Sequence, residues 1–353
     1  MSGTIIASSG RCGSTMMSSL LNQHTDILSV SEFLIDVCNL QSNLDWAFTE
    51  EKIDGEDFWR RINLKPDLMN HMLRLGCPYQ EMLYPYKKNG AKFNAQTYVP
   101  ALCMTFLPHI SDYPDQLYDE LEPVVRAQPL QGIRQHYEDL WAWLMLRLDK
   151  KVWVERSGTS IVYVEEMLKM WPESRYIHMF RDGRDTCYSM RNHVGFKFVI
   201  MGQKLEEYMG VNPFLSDDRT HVDKVPEEFQ FLLPENLTKE AMDNWSIPIE
   251  ILGHAWSADI KKGFDIFSNM PDEQVLHVDY DRFCANPEKQ LRTIAEFCGV
   301  DSTDQWIKEV TAGVSLSKGN WQQLPADKKA SLDQSCQPGN DLIDQKIKSG
   351  IVL

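Results

Sequence analysis

The sequence predicts an α/β protein organised on a parallel sheet, and three observations carry that expectation. Short β-favouring runs recur at Thr4–Ala7, Lys151–Glu155, Arg175–Phe180 and Gln274–Val278, with a weaker one at Ile27–Val30. Helical patterns separate them, notably "GIRQHYEDLWAWLMLRL" before the run at 151 and "VYVEEMLKMW" after it. Strands alternating with helices give parallel pairing through right-handed crossovers. The third observation is a glycine-bearing turn placed directly between the first run and an amphipathic stretch.

That first element reads "TIIA", then "SSGRCGST", then "MMSSLLNQH", which predicts strand, tight loop and helix N-terminus. Such a turn aims free backbone N–H groups and the positive end of a helix dipole at one point, which suits a phosphate or sulfate. An ATP-binding P-loop carries lysine after its last glycine. Here Ser14 follows Gly13, and the loop's one cation is Arg11, whose planar guanidinium forks onto tetrahedral oxyanions. An ordinary glycine turn between strand and helix is the alternative.

At 353 residues, with 43% hydrophobic and 10% aromatic content, the chain can bury a large core in a single domain spanning 1–353. A formal charge of -15 argues against nucleic acid, an anionic membrane surface or a polyanionic acceptor, so an anionic ligand needs a local cluster of cations. Eight cysteines without a C-x-x-C pair predict neither a disulfide framework nor a zinc ribbon, and fit a reducing compartment. A first strand at about residue 4 and the lack of any long apolar run lead to the expectation of a cytoplasmic protein.

Two stretches break the alternation. Residues 36–145 read as mostly helical and aromatic-rich, and residues 195–250 as helical with irregular punctuation at "VNPFLSDD" and "LLPENL". Both are expected as insertions over the strand C-terminal ends, where open α/β sheets bind ligands. The first holds sixteen acidic and ten basic residues and the second eleven and five, so both are net acidic. As an acceptor cap they would favour a neutral or cationic alcohol, phenol or amine. As plain solvated surface the same charges would say nothing about a ligand.

A second cationic element lies in "SRYIHMFRDGRDTCYSMRNH". Arg181 stands at the end of a strand and Ser189 two helical turns onward, a pairing able to hold another phosphate unless Arg181 is simply salt-bridged to Asp182 or Asp185.

The loop and this Arg-x7-Ser element, in this order, resemble the PAPS-dependent sulfotransferases, closest to the tyrosylprotein and heparan N-sulfotransferase branch with its bacterial relatives. "VWVERSGTS" resembles the family's strand ending in Glu-Lys-Thr/Ser-Pro, with Arg156 in place of lysine and Gly158 in place of proline. "VLHVDYDRFCANPEKQLRTIAEFCGV" and the degenerate "SKGNWQQL" resemble its late segments, with Tyr280, Asp281 and Pro287 as markers of the former. The resemblance implies a P-loop-NTPase-like three-layer fold with a central parallel sheet. It assigns Ser9, Gly10, Arg11, Cys12, Gly13, Ser14 and Thr15 to the 5′-phosphosulfate of PAPS. Arg181, Ser189 and Lys318 go to its 3′-phosphate.

Sulfuryl transfer from PAPS, leaving PAP, follows the positioning and charge-stabilisation logic of phosphoryl transfer. It needs a base near the sulfur, and Glu32 in "HTDILSVSEFL" follows the loop at the interval seen in glutamate-based members, with Arg11 and Glu32 as the catalytic pair. Glu32 as a carboxylate that neutralises Arg156 is the alternative, and His24, His109, His136, His193 and His254 are rival bases. The expected partner is a small-molecule acceptor with a hydroxyl or amine, including natural products, and no metal is expected. A P-loop kinase and a non-catalytic nucleotide-binding protein are the competing functions.

Overall fold

The computed structural model describes residues 3–38, 43–316 and 319–353. Its core is a five-stranded parallel sheet of β1 (Thr4–Ser8), β2 (Ile27–Ser31), β3 (Val152–Arg156), β4 (Arg175–Phe180) and β5 (Val275–Asp279), in the order β2-β3-β1-β4-β5. All five runs expected from the sequence are strands, with ends shifted by at most a residue. Successive residues of β1 face opposite sides, as the period of two requires. Ile5 and Ala7 join one apolar cluster with Leu28, Val30, Trp153 and Tyr176, while Ile6 joins the other with Ile27, Val154, Ile177, Met179 and Val278. The sheet is thus covered on both faces, giving the three-layer α/β architecture expected.

The principal helices are α1 (Ser14–Asn22), α2 (Ile133–Arg147), α3 (Gly183–Asn192), α4 (Val194–Met209), α5 (Ile249–Phe267), α6 (Pro287–Phe297) and α7 (Ala326–Lys348). Helices α1 and α6 cover one face of the sheet, through Met17, Leu20, Leu21, Leu291 and Ile294. The 36–145 segment covers the other and is mostly helical, as expected. It also contains an antiparallel pair of two-residue strands, Lys52–Ile53 against Gln131–Gly132, too short to show a period in sequence. Its aromatics form the larger core: Trp141 stacks near Trp153 and Trp171, at centroid distances of 4.3 and 5.2 Å.

Helix α7 packs along α5 in a third cluster containing Trp256, Ile260, Leu332, Cys336 and Ile343. All eight cysteines are free. Among the described residues, no helix is long and apolar enough to cross a membrane.

Strand order reverses around β1, with β3 on one side and β4 on the other. The loops leaving the carboxyl ends of these strands converge there, where ligands of open α/β sheets bind.

Candidate active site

The loop after β1 takes the left-handed backbone three times within four residues, at Gly10 (φ 81°), Arg11 (φ 54°) and Gly13 (φ 89°). Gly13 is the N-cap of α1, so the first-turn N–H groups that follow lack intrahelical partners and face the loop. No side chain fits at Gly13, because a Cβ there would lie 2.1 Å from Cδ2 of Tyr280.

Arg11 leaves this loop and meets three acceptors. Its Nε donates to Ser189 Oγ at 3.2 Å, Nη1 to Glu81 Oε1 at 2.6 Å and Nη2 to Gln80 Oε1 at 2.5 Å. The other Glu81 oxygen, Oε2, accepts from His193 Nε2 at 2.9 Å. Burial alone would raise the Glu81 carboxyl, but the His193 hydrogen bond and attraction to His193, Arg11 and Arg156 outweigh it, bringing it down to about 2.

Sheet register places the second ion pair. Ser31 of β2 pairs with Arg156 of β3, and the next residue, Glu32, donates its backbone N–H to the Arg156 carbonyl at 2.8 Å. Glu32 is itself left-handed, with φ 59°, and its Oε1 accepts from Arg156 Nη1 while Oε2 accepts from the Gly158 N–H at 2.8 Å. Arg156 is wholly buried, and its Nε and Nη2 have no hydrogen-bond partner among the described residues. Next to it, burial pushes the Glu155 carboxyl up to about 8, against a 2.6 Å hydrogen bond from Ser157 Oγ.

One cavity of about 510 Å³ joins these parts. Ser9, Gly10, Arg11, Ser14, Thr15, Glu32, Glu81, Arg156 and His193 give its lining polar and charged groups, and Ile35, Met69, Met72, Tyr79, Leu252 and Trp256 are among those that give it apolar surface. Strained non-glycine residues gather here: Arg11, Glu32 and Thr159 (φ 55°) are three of the four with positive φ among the described residues.

The sequence-derived residues divide as follows. Ser9, Gly10, Arg11, Ser14, Thr15 and Glu32 meet at the cavity. Cys12 turns its side chain into the core, with Sγ 3.3 Å from the Met179 carbonyl, so only its backbone can face an anion. Arg181 and Ser189 lie outside the cavity lining. The Arg181 guanidinium sits 4.7 Å from the Tyr280 ring centroid, with Asp281 at 3.8 Å and Asp185 at 3.9 Å. The alternative pairing of Arg181 with Asp185 is therefore present at long range, and Asp182 pairs with Arg184 at 2.6 Å. Ser189 bonds Arg11, because six residues of helix carry it about 9 Å from the start of α3 toward the loop. Lys318 lies outside the described residues.

Of the five histidines considered as bases, only His193 lines the cavity. His109 bonds Ser29 Oγ at 3.1 Å, and burial, with Arg156 nearby, pushes it down to about 4. His24 and His136 are bound to the carbonyls of Asp301 and Ile53, and His254 is exposed. Glu81, Gln80 and Asp36 were not foreseen: they lie in the helical insertion, in no motif. Among the described residues, no His, Cys, Asp and Glu cluster is arranged to hold a metal ion.

A sequence profile described as Sulfotransferase family matches residues 4–211 and 235–304. The chain belongs to the sulfotransferase family, enzymes that transfer sulfuryl groups. The match runs through the 36–145 segment without a break. Similar solved structures include the sulfotransferase domain from the curacin biosynthetic pathway, at 14% identity over 97% of each chain with TM-score 0.46. Another is the sulfotransferase domain from the Synechococcus PCC 7002 olefin synthase, at 13% identity over 96% of this chain and 94% of that one, TM-score 0.44. A sulfotransferase from Alicyclobacillus acidocaldarius is 13% identical over 96% and 92%, TM-score 0.34. No curated protein sequence matches the chain.

Proposed function

We propose that the chain transfers the sulfuryl group of PAPS to a hydroxyl of a small-molecule acceptor bound in the cavity. The observation that carries this reading is Arg156. A guanidinium buried without exposure, with two nitrogens lacking partners, is costly unless a ligand supplies acceptors. It lines the same cavity as the loop amides and Arg11, which supports an anion with two charged centres near the β1 loop.

In this reading the α1 N-terminus, Ser14, Thr15 and Arg11 hold the 5′-phosphate that leaves, and Arg156 holds the sulfuryl oxygens. The acceptor oxygen forms a bond to sulfur as the bond from sulfur to the phosphate oxygen breaks, with that electron pair staying on the phosphate. The acceptor proton passes to Glu32. As Glu32 is neutralised, Arg156 is freed to balance the charge growing on the leaving group, so one ion pair serves both as base and as electrostatic stabiliser. Arg181, with Ser189 and Lys318, belongs to the 3′-phosphate in this assignment. The cations already named supply the charge compensation that a metal would bring.

Glu32→Gln tests this directly. Gln keeps a carbonyl toward Arg156 but cannot take up a proton, so turnover should fall by roughly two to four orders of magnitude while PAP affinity holds. Steady-state kinetics with an unactivated alcohol, beside calorimetry with PAP, is the measurement. Near wild-type turnover would move the base elsewhere, and PAP binding with no transfer to any acceptor would favour a binding protein.

A further inference from the structure

We infer that Asp36 anchors an ammonium group of the acceptor, which makes the acceptor a cationic amino alcohol with an apolar body. Asp36 lies in the short helix Phe33–Val37 and donates its backbone N–H to the Glu32 carbonyl at 3.2 Å, one turn along from the proposed base. Asp36 is among the residues lining the cavity and is only 6% exposed, and its Oδ2 has no hydrogen-bond partner among the described residues. A buried carboxylate oxygen without a partner is as costly as the Arg156 nitrogens and has the opposite requirement, a donor.

The surroundings select the kind of donor. Ile35, Met69, Met72, Val199 and Ile200 line the same cavity, so an apolar body suits the rest of the ligand. The two arginines on the wall are already engaged, Arg11 with Glu81 and Arg156 with Glu32. Asp36 and Asp259 add two further carboxyls to the same cavity without an arginine of their own. A donor anion that draws on Arg11 and Arg156 leaves the carboxylates in still greater excess, which a cationic acceptor offsets.

Burial, reinforced by the Glu32 charge, raises the Asp36 carboxyl well above its usual range. Tyr79 from the facing segment and Cys38 on its own element are also held protonated by burial and by charges that include Asp36. An arriving ammonium supplies the opposite charge that favours the ionised carboxylate, so its binding is coupled to the protonation of Asp36. Residues one turn apart have Cβ atoms about 5–6 Å from each other, so the ammonium and the attacked hydroxyl stand a few carbon atoms apart. That last spacing rests on the sulfuryl-transfer reading, whereas ammonium binding at Asp36 does not.

The test uses three probes sharing one apolar body: 4-phenylbutylammonium, 4-phenylbutanol and 4-phenylbutyrate. Calorimetry with and without PAP, at about pH 7 in two buffers of different ionisation enthalpy, gives affinity and proton balance. The ammonium should bind at least about tenfold more tightly than either relative, with net proton release. Asp36→Asn, which keeps the shape of the neutral acid, should lose that preference and the proton release while binding PAP as the parent does. Equal binding of the three probes, or an unchanged ammonium affinity in Asp36→Asn, overturns the assignment. Failure of the parent protein to bind PAP would instead overturn the sulfuryl-transfer reading, and the probe series without PAP would still judge Asp36.

Discussion

Arg11 is held by the Glu81 carboxylate, which in the proposed reading competes with the anion assigned to the loop. Glu81→Gln keeps an acceptor for Arg11 but removes the negative charge. PAP should then bind several-fold more tightly, a gain on the order of 1 kcal/mol, read by calorimetry. The same substitution has a cost to stability with a defined pH window. The Glu81 carboxyl is lowered from 4.5 to about 2 on folding, so its contribution is complete above about pH 4.5 and is lost as pH falls toward 2. Urea unfolding should show the parent more stable by on the order of 3 kcal/mol near neutrality, with the two proteins converging in that acid range. Arg181 and Ser189 separate in a second measurement. Arg181→Ala should weaken PAP and leave adenosine 5′-phosphosulfate nearly unaffected, since that ligand lacks the 3′-phosphate. Ser189→Ala should weaken both, because its hydroxyl also accepts from Arg11. A loss of equal size for both ligands in Arg181→Ala would remove it from the 3′-phosphate.

The strand-loop-helix element of β1 and α1 depends on one residue with no substitute. Gly13→Ala would place a methyl in a left-handed position and into the Tyr280 ring, costing about 2–4 kcal/mol in strain and overpacking together. Thermal unfolding and PAP titration should both register it, and an unchanged midpoint would mean that the loop relaxes freely. This element was legible in sequence because its chemistry is local: apolar run, glycines, hydroxyls and helix lie within about twenty residues. The sheet was legible for a related reason, since strands buried on both faces read as unbroken apolar runs. Glu32 could be placed as a base only by a resemblance, whereas its pairing with Arg156, the alternative role named from the sequence, is present and is positioned by the β2–β3 register. Glu81 and Gln80, which lie in the helical insertion, reach Arg11 across separations of seventy and sixty-nine residues, a pairing created by packing. Ser189 was assigned with Arg181 by resemblance, and its hydrogen bond from Arg11 is a contact that the spacing along the chain does not reveal. Helix α7 went unread because Pro338 and Gly339 interrupt its pattern, and its stability comes from lying along α5.

Across the whole molecule, the wall of the cavity is set partly by residues that never touch it. Trp256 lines the cavity, and the edge of its indole has a glycine on each of two neighbouring helices: a Cβ at Gly183 of α3 would lie 2.3 Å from Cζ3, and one at Gly339 of α7 2.4 Å. Gly339→Ala should therefore destabilise the protein by about 1–3 kcal/mol and weaken 4-phenylbutylammonium binding, with PAP affinity held within about twofold. Loss of both affinities together would show that the C-terminal helix supports the entire site.

Tyr280 has a wider reach than its place after β5 suggests. Its ring fills the space beside Gly13 and lies 4.7 Å from the Arg181 guanidinium, so the β1 loop and the end of β4 meet the same aromatic plate. In the proposed reading these are the two anion seats, and the ring between them sets the span that the charged ends of a donor must match. A nucleotide with a single charged end would then engage one seat alone.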